Sequence, residues 1–382
     1  MVTMVKKSDF VLAPYMTSND WRATYQLLNT VIPYILLWSL AAPAASISLW
    51  LLPPIMVLIT LFSVRCFSLM HDCGHYSLFR SKRVNRVVGF FLGVINAIPQ
   101  YPWSRGHAYH HKTNGDWQQY RGPSAILSTE EFANLSPSGQ WWYEALRHPI
   151  MLFPGGFFYL ALKPRLALIL GTYGFVVHLV TCLRQHPGMG IGKMITSYQS
   201  KTWYTTAEFW DLLLNNICVV GSWIALSYAL GAGFFLGVYS ITLTCAAAIF
   251  ICVFFVQHNF DTSYAHTTEG WDYLSGAIEG SSYLMLPTIL KWFSADIGYH
   301  NIHHLSSRIP NYHLEACHQA NAHLLTQVKR LRMADMPDCF KFILWDAPSN
   351  RLVSIAEFRQ MEQMVADAVV QPDRLPYAST HQ

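Results

Sequence analysis

Charge is scarce in this chain. Asp, Glu, Lys and Arg make up 13% of its 382 residues, about half of the roughly 25% usual in soluble domains. Length alone would allow two soluble domains, but so little charge argues against them. The eight cysteines (Cys66, Cys73, Cys182, Cys218, Cys245, Cys252, Cys317 and Cys339) include no C-x-x-C pair, and several fall in apolar runs. That pattern speaks against a disulfide framework and for buried thiols in a reducing setting. The first 26 residues are polar, carry Lys6, Lys7 and Arg22, and lack a compact apolar core before a small-residue cleavage site. No cleavable signal is expected from them. Solenoid-type repeats are absent as well, and nothing points to a nucleic-acid partner.

Long apolar runs are what the chain does have. A helix needs roughly 20 apolar residues to cross the hydrocarbon. Leu27 to about Ile47, about Leu51 to Met70, Leu212 to Leu230 and Phe234 to Val256 each supply one crossing. The turns within each pair, around Ser48-Leu49-Trp50 and Gly231-Ala232-Gly233, contain no Lys or Arg. Nearly all the positive charge, such as Arg80, Lys82, Arg83, Arg105, Lys112 and Lys329, lies on the other side. The positive-inside rule then places both termini in the cytosol. The expectation is an all-α, polytopic integral membrane protein. Four transmembrane helices form two hairpins, joined by interfacial helices and closed by a cytosolic helical cap. It reads as one membrane domain over 1–382: a cytosolic segment 1–26, a hairpin 27–70, a cytosolic and interfacial segment 71–211, a second hairpin 212–256, and a cytosolic segment 257–382. Arg65, inside the second run, is expected to snorkel towards the cytosolic edge.

Three further apolar runs test this map. Val87 to Pro99 is too short to cross. Met151 to Cys182 is interrupted by Lys163-Pro164-Arg165 and carries His178. Ser281 to Phe293 is a third. All three are expected to lie along the interface, because an odd number of crossings would put histidine clusters on opposite sides of the bilayer. After Leu305, helical patterns run from His313 to Arg332 and from Ile355 to Val369.

Those clusters are the centre of the chain. His300-Asn301-Ile302-His303-His304 has imidazoles at i, i+3 and i+4, which share one helix face. His107-Ala108-Tyr109-His110-His111 repeats the spacing, and His71-Asp72-Cys73-Gly74-His75 sets two histidines at i and i+4. With 17 histidines in 382 residues, H-x-x-H-H would arise by chance roughly 0.03 times, and it occurs twice. Eight clustered histidines exceed what one tetrahedral zinc takes. Two metals with four or five nitrogens each fit the count. Imidazole suits iron, zinc, copper and nickel alike, and an all-imidazole dinuclear site at a membrane face favours iron. His258 ends the fourth run as His71 ends the second, and it is the natural ninth ligand. His266 stays open as an alternative. His148, His178, His313, His318, His323 and His381 are expected to lie outside the site. Asp72, Asp116, Asp261 and Asp296 could orient ligand imidazoles, with Asp296, four residues before His300, the best placed.

The boxes H-D-C-G-H, H-A-Y-H-H and H-N-I-H-H, in this order and at these separations from two hydrophobic hairpins, resemble those of the membrane fatty acid desaturases. The resemblance runs from about Leu27 to His323. It includes Phe255-Val256-Gln257-His258 and Ser306-Ser307-Arg308-Ile309-Pro310-Asn311-Tyr312. Three residues inside the first box make it similar to the acyl-lipid, methyl-end (delta-12 or omega-3) type; the stearoyl-CoA type usually has four. His300 at the head of the third box differs from the Gln of front-end desaturases. The resemblance implies two iron ions, dioxygen as co-substrate, and a cis double bond formed by removing two hydrogens from adjacent methylenes of an acyl chain. Unactivated C–H cleavage needs such a metal-bound oxidant. Regiochemistry needs a long apolar channel, for which Tyr299, Trp292, Trp103, Tyr109 and Phe67 are candidates. No residue beyond the metal ligands is assigned a catalytic role.

Two electrons per turnover must come from outside. His186-Pro187-Gly188-Met189 is similar to the haem loop of cytochrome domains fused to some relatives, but its flanks cannot supply such a domain. The donor is therefore expected to be a separate ferredoxin or small cytochrome, docking on the basic cytosolic face. A hydroxylase or ketolase of the same superfamily, acting on fatty acid, carotenoid or sphingoid base, is the nearest alternative. A histidine-rich metal transporter is a distant one, because transporters place their ligands at mid-membrane depth.

Overall fold

The computed structural model describes residues 5–122 and 125–370. Its architecture is mostly helical. Helix α1 (Asp20–Ile47) opens under an Asn19 cap, whose side chain accepts the Arg22 N–H. It ends at Ser48, whose extended backbone and hydroxyl cap start a short 3-10 turn, Leu49–Leu51. Helix α2 (Leu52–Gly74) then returns alongside α1. The second hairpin pairs α6 (Thr206–Leu230) with α7 (Ala232–Val256). Between them only Gly231 leaves the helix. Its φ of 85° is one that L side chains rarely adopt, so the turn needs glycine.

The two hairpins differ in what they expose. Ile32, Ile35, Leu36 and Leu40 on α1 stand free, as a lipid-facing row should. On α2 every residue from Ser63 to Cys73 is buried, so this helix is the centre of the bundle. Phe67 of α2 stacks on Phe250 of α7 at 3.8 Å and 5°. Arg65 does not snorkel. It is 2% exposed, because its Nε donates to Thr30 Oγ1 at 2.9 Å and its guanidinium lies 3.8 Å over the Trp292 ring. A second N–H donates to the Trp292 carbonyl. Those partners replace water, so the charge can face inward.

Helix α3 (Lys82–Ile95), capped by the Ser81 hydroxyl, and helix α4 (Gln100–Thr113) follow α2. α3 has 14 residues and stops short of a crossing. The run from Met151 does not break at Lys163-Pro164-Arg165. A helical stretch, α5, continues from Pro149 to Gln185 with one π-helical turn at Phe158–Leu162. Pro164 sits in the first turn of the segment that starts at Lys163, where its missing N–H is not needed. Arg165 is absorbed by polar partners: its guanidinium donates to Asn215, Asn216, and the carbonyls of Ala97 and Leu160, all at 2.8–2.9 Å. By length and composition, five helices among the described residues could cross a membrane: α1, α2, α5, α6 and α7.

The remainder forms a cap. Helix α8 (His300–Leu305) and helix α9 (Asn311–Ala320) pack with Phe10 and Leu12 from the N-terminal segment. The helical pattern from His313 to Arg332 ends early, at Ala320. Asn321 stops it, its side-chain amide turned back to the Cys317 carbonyl at 2.8 Å. Arg330–Arg332 is instead strand β3, parallel to β2 (Tyr283–Met285). β2 takes three residues of the interfacial helix expected over Ser281–Phe293, of which only Thr288–Phe293 is helical. A second small sheet, ordered β1-β4-β5, joins Leu127–Ser128, Phe342–Asp346 and Arg351–Ser354. Helix α10 (Ile355–Val370) follows it, as its sequence pattern indicates.

Candidate metal centre

Four chain segments deliver imidazoles to one place. The last turn of α2 carries His71 and leads to His75. α4 presents His107, His110 and His111, and α8 presents His300, His303 and His304. His258 stands just past the end of α7. The nine side chains form two groups. His71, His75, His107, His111 and His303 make one; His110, His258, His300 and His304 make the other. Within each, one nitrogen per ring lies within 4.8 Å of all the others.

The H-x-x-H-H spacing divides each box between the groups. In α4 the i and i+4 residues, His107 and His111, enter the five-histidine group, and the i+3 residue, His110, enters the four-histidine group. In α8 the assignment is reversed: His300 and His304 enter the four and His303 the five. Residues three and four apart straddle the face of a helix on opposite sides of its midline. Two such helices lying across each other can therefore serve two centres.

The Nε2 atoms point at one another. His71 and His107 approach to 2.8 Å, His107 and His111 to 3.0 Å, His110 and His258 to 3.1 Å, and His258 and His300 to 2.9 Å. His304 lies 3.2 Å from His300. As hydrogen bonds these would serve a few pairs at best. As edges around a cation bound at about 2.1 Å they are the right size. Buried His75 Nε2 and both ring nitrogens of His303 lack any other partner among the described residues. The donor set fits metal ions in both groups.

Protonation favours the same use. Burial, followed by mutual repulsion among the rings, holds His107, His110, His111, His300, His303 and His304 well below the usual imidazole range. Burial pushes His258 down to about 4. Each is thus neutral at pH 7, the form that ligates. His258 Nδ1 is 2.9 Å from the Gly280 carbonyl, so it donates there and leaves Nε2 as a lone pair. The corresponding anchor on the other side is Asp72, 3.3 Å from His71 Nδ1. Its other oxygen accepts the Asn311 N–H at 2.8 Å and the Asn311 amide at 2.9 Å, tying α2 to α9.

The remaining carboxylates do other work. Asp116 caps a turn and accepts from Thr268. Asp296, the best placed on sequence, faces away at a backbone φ of 55°. Its carboxyl is raised by burial to about 6, with Lys291, Glu315 and Arg65 nearby. No site imidazole is recorded against Asp116, Asp261 or Asp296 among the described residues. His266 is also outside, with its Nδ1 against Thr267. His148 caps Ile150, His178 meets Ser197, and His318 packs on Tyr283 and Tyr299. His186, His313 and His323 join neither group. His381 lies outside the described residues.

A cavity of about 660 Å³ opens against His107, His110 and His258, within the range of roughly 300–1,000 Å³ common for ligand sites. Of the expected channel residues, Phe67 and Trp103 line it, and Tyr299, Trp292 and Tyr109 do not. Trp103 stacks on His107 at 4.8 Å and 14°. α5 supplies a whole wall, which sequence reasoning laid along the interface and left unassigned. Its only trace in the sequence is the pair Gly155-Gly156 inside an apolar run.

A family model for fatty acid desaturases matches residues 48–334. The chain is 31% identical to a fatty acid desaturase of Bacillus subtilis (strain 168), over 88% of this chain and 86% of that one. It is 25% identical to a chloroplastic sn-2 acyl-lipid omega-3 desaturase (ferredoxin) of Arabidopsis thaliana, over 78% of this chain and 60% of the plant protein. With a delta(12)-oleate desaturase of Trichosanthes kirilowii it shares 23% identity, over 68% of this chain and 66% of that one.

Proposed function

The chain belongs to the fatty acid desaturase family, a family of oxidoreductases, and on that premise we propose that it places a cis double bond in an acyl chain carried on a membrane lipid. The reaction takes one dioxygen, two electrons and two protons, removes one hydrogen from each of two adjacent methylenes, and releases two waters. The observation that carries this reading is the pairing of five and four histidines beside an apolar cavity. We assign the nine histidines as ligands of two irons. When bound, the irons supply the oxidant for an unactivated C–H bond.

The protein's own part is to hold and to exclude. Gly280 and Asp72 fix the orientation of His258 and His71. Phe67, Trp103, Phe250 and Phe254 press an acyl chain towards the ligand rings and keep bulk water out. Holding one methylene pair in reach sets where the double bond falls. The plant relatives named as acyl-lipid, omega-3 and delta-12 enzymes support a lipid-borne chain and methyl-end chemistry. A ferredoxin, as the name of the Arabidopsis relative states, or a small cytochrome is the electron donor.

Topology follows from parity. His110 and His258 share a group, so the chain between them crosses an even number of times. If α6 and α7 both cross, the two ends of α5 lie on one side despite its length, and as one continuous helix it runs along the interface. With the positive charge, this supports four crossings with both termini and all three boxes cytosolic.

The test is the fatty acid profile of a host that holds monounsaturated lipid, lacks polyunsaturates and supplies a ferredoxin. A new diene, absent with His303→Ala, is expected. An unchanged profile from inserted, iron-loaded protein with a working donor would overturn the acyl-desaturase reading.

A further inference from the structure

Residues Met151 to Ala167 of α5 line the cavity with a face that recurs every three or four residues: Leu152, Gly155, Tyr159 and Lys163 are among them. Sixteen steps of about 1.5 Å between these seventeen residues give that face about 24 Å. One leaflet of the bilayer core is about 15 Å thick, half of roughly 30 Å. The wall is thus longer than one leaflet is deep, so it can run beside most of an acyl chain. Tyr159 marks where the wall passes the histidines, for its hydroxyl meets the Trp103 indole and Trp103 stacks on His107. Gly155 is one turn before Tyr159.

The two glycines at this point differ. A Cβ on Gly156 would stand 2.7 Å from the Cβ of Ala247 on α7, too close to fit. Gly156 is buried and serves the helix contact, in the way small residues do between membrane helices. A Cβ on Gly155 would meet nothing within 4 Å, yet Gly155 lines the cavity. Gly106 on α4, next to His107 in the chain, shares both properties. The space there is left open and is not used by packing.

We propose that Gly155 sets the bore of the acyl passage at the level of the histidines, so that the residue at 155 decides how bulky or how long a chain can be drawn past the metal centre. Gly156 beside it holds the wall in place. This rests on the acyl-desaturase reading above. A Cβ at 155 enters this space with nothing within 4 Å, and a longer side chain there narrows the passage. A side chain at 156 pushes α5 off α7.

The experiment compares Gly155→Ala, Gly155→Leu and Gly156→Ala with the unaltered protein in the same host, fed fatty acids of graded length. Product distribution, membrane-inserted yield, bound iron and thermal midpoint are read for each. Gly155→Leu is expected to keep yield, iron and midpoint, and to lose at least ten-fold of its conversion, most of all for the longest chains. Gly155→Ala shifts the distribution in the same direction by less. Gly156→Ala lowers the midpoint, and Ala247→Gly in the same chain restores it. If Gly155→Leu converts every chain length as the unaltered protein does, the bore is not set there and the proposal falls. It also falls if Gly155→Leu loses yield and midpoint as Gly156→Ala does, since 155 would then be a packing position. If the unaltered protein yields no product, the desaturase reading itself fails, and that is visible before any variant is scored.

Discussion

The five-histidine and four-histidine groups are built from the same boxes, and the difference between them lies in the extra segment each recruits. The five-histidine group adds His71 and His75 from the end of α2. Two of its members, His75 and His107, are only half-buried. The four-histidine group adds His258 alone, and all four of its rings are buried. Their anchors differ too. His71 faces a carboxylate, Asp72, and His258 faces a backbone carbonyl of Gly280. A side-chain anchor can be removed by mutation and a carbonyl cannot. The pair therefore shows two ways to orient a histidine ring at the end of a long apolar helix, one readable in the sequence and one not.

Removing a proposed ligand from either group is the severest way to break the comparison. His303→Ala empties a position in the five-histidine group, and His304→Ala one in the four-histidine group. Both should reduce product below detection while insertion is unchanged, as should His107→Ala. Full activity in any of the three would remove that residue from the site. His258→Ala sharpens the contrast, since it leaves its group with three nitrogens. Metal analysis of purified protein should fall from about two irons per chain towards one, because ligand number and geometry set how firmly each ion is held. His266→Ala should keep both. If His258→Ala retains the full metal content, the ninth ligand is elsewhere.

Asp72→Asn should act on the five-histidine group alone. Loss of such an anchor costs about 10–100-fold in activity or affinity. The variant can still hold Asn311 through its amide oxygen, so a drop in activity with unchanged thermal midpoint would separate the anchor from the tie to α9.

Acid should destabilise metal-free protein through both groups. The depressed folded values mean that the unfolded chain binds more protons below the ordinary imidazole value of 6.5. Stability is therefore present above about pH 6.5 and lost as the pH falls towards about 4, where His258 itself protonates. Thermal midpoints of the stripped protein between pH 7.5 and pH 4 (about 7.5 and 4, bracketing the imidazole range) should decline over that window and be flat above it. A flat profile throughout would mean that these rings are not neutral and buried when metal-free. The smallest effect belongs to His186→Ala. His186 is exposed after the end of α5, and its loss should leave product and metal within error.

Much of this was legible because one kind of signal repeats. H-x-x-H-H places three rings on one helix face whatever surrounds it, so all eight box histidines could be named before the fold was seen. His258 was legible from its position after an apolar run. The hairpins were legible from length and hydropathy, since lipid accepts few alternatives to a satisfied helix. Other elements were not. Arg65 looked like a snorkelling charge because its partners, Thr30 and Trp292, lie 35 residues before it and 227 after it. Strand β2 is three residues long and exists because β3 pairs with it. Local pattern cannot announce such a strand.

The sequence by itself determined which atoms can bind metal and how many there are, because ligand chemistry and helical spacing are local properties. Only the tertiary structure decided how they are shared. It set α4 and α8 across each other, so that i and i+4 of one join i+3 of the other. It brought the Gly280 carbonyl rather than a carboxylate to His258, and Asn311 of α9 to the far oxygen of Asp72. It also turned α5 into the wall of a cavity, with Gly156 pressed on Ala247 and Gly155 left facing space. Each of these is a contact between residues far apart in the chain. Such contacts depend on the relative placement of whole helices, which no local periodicity encodes.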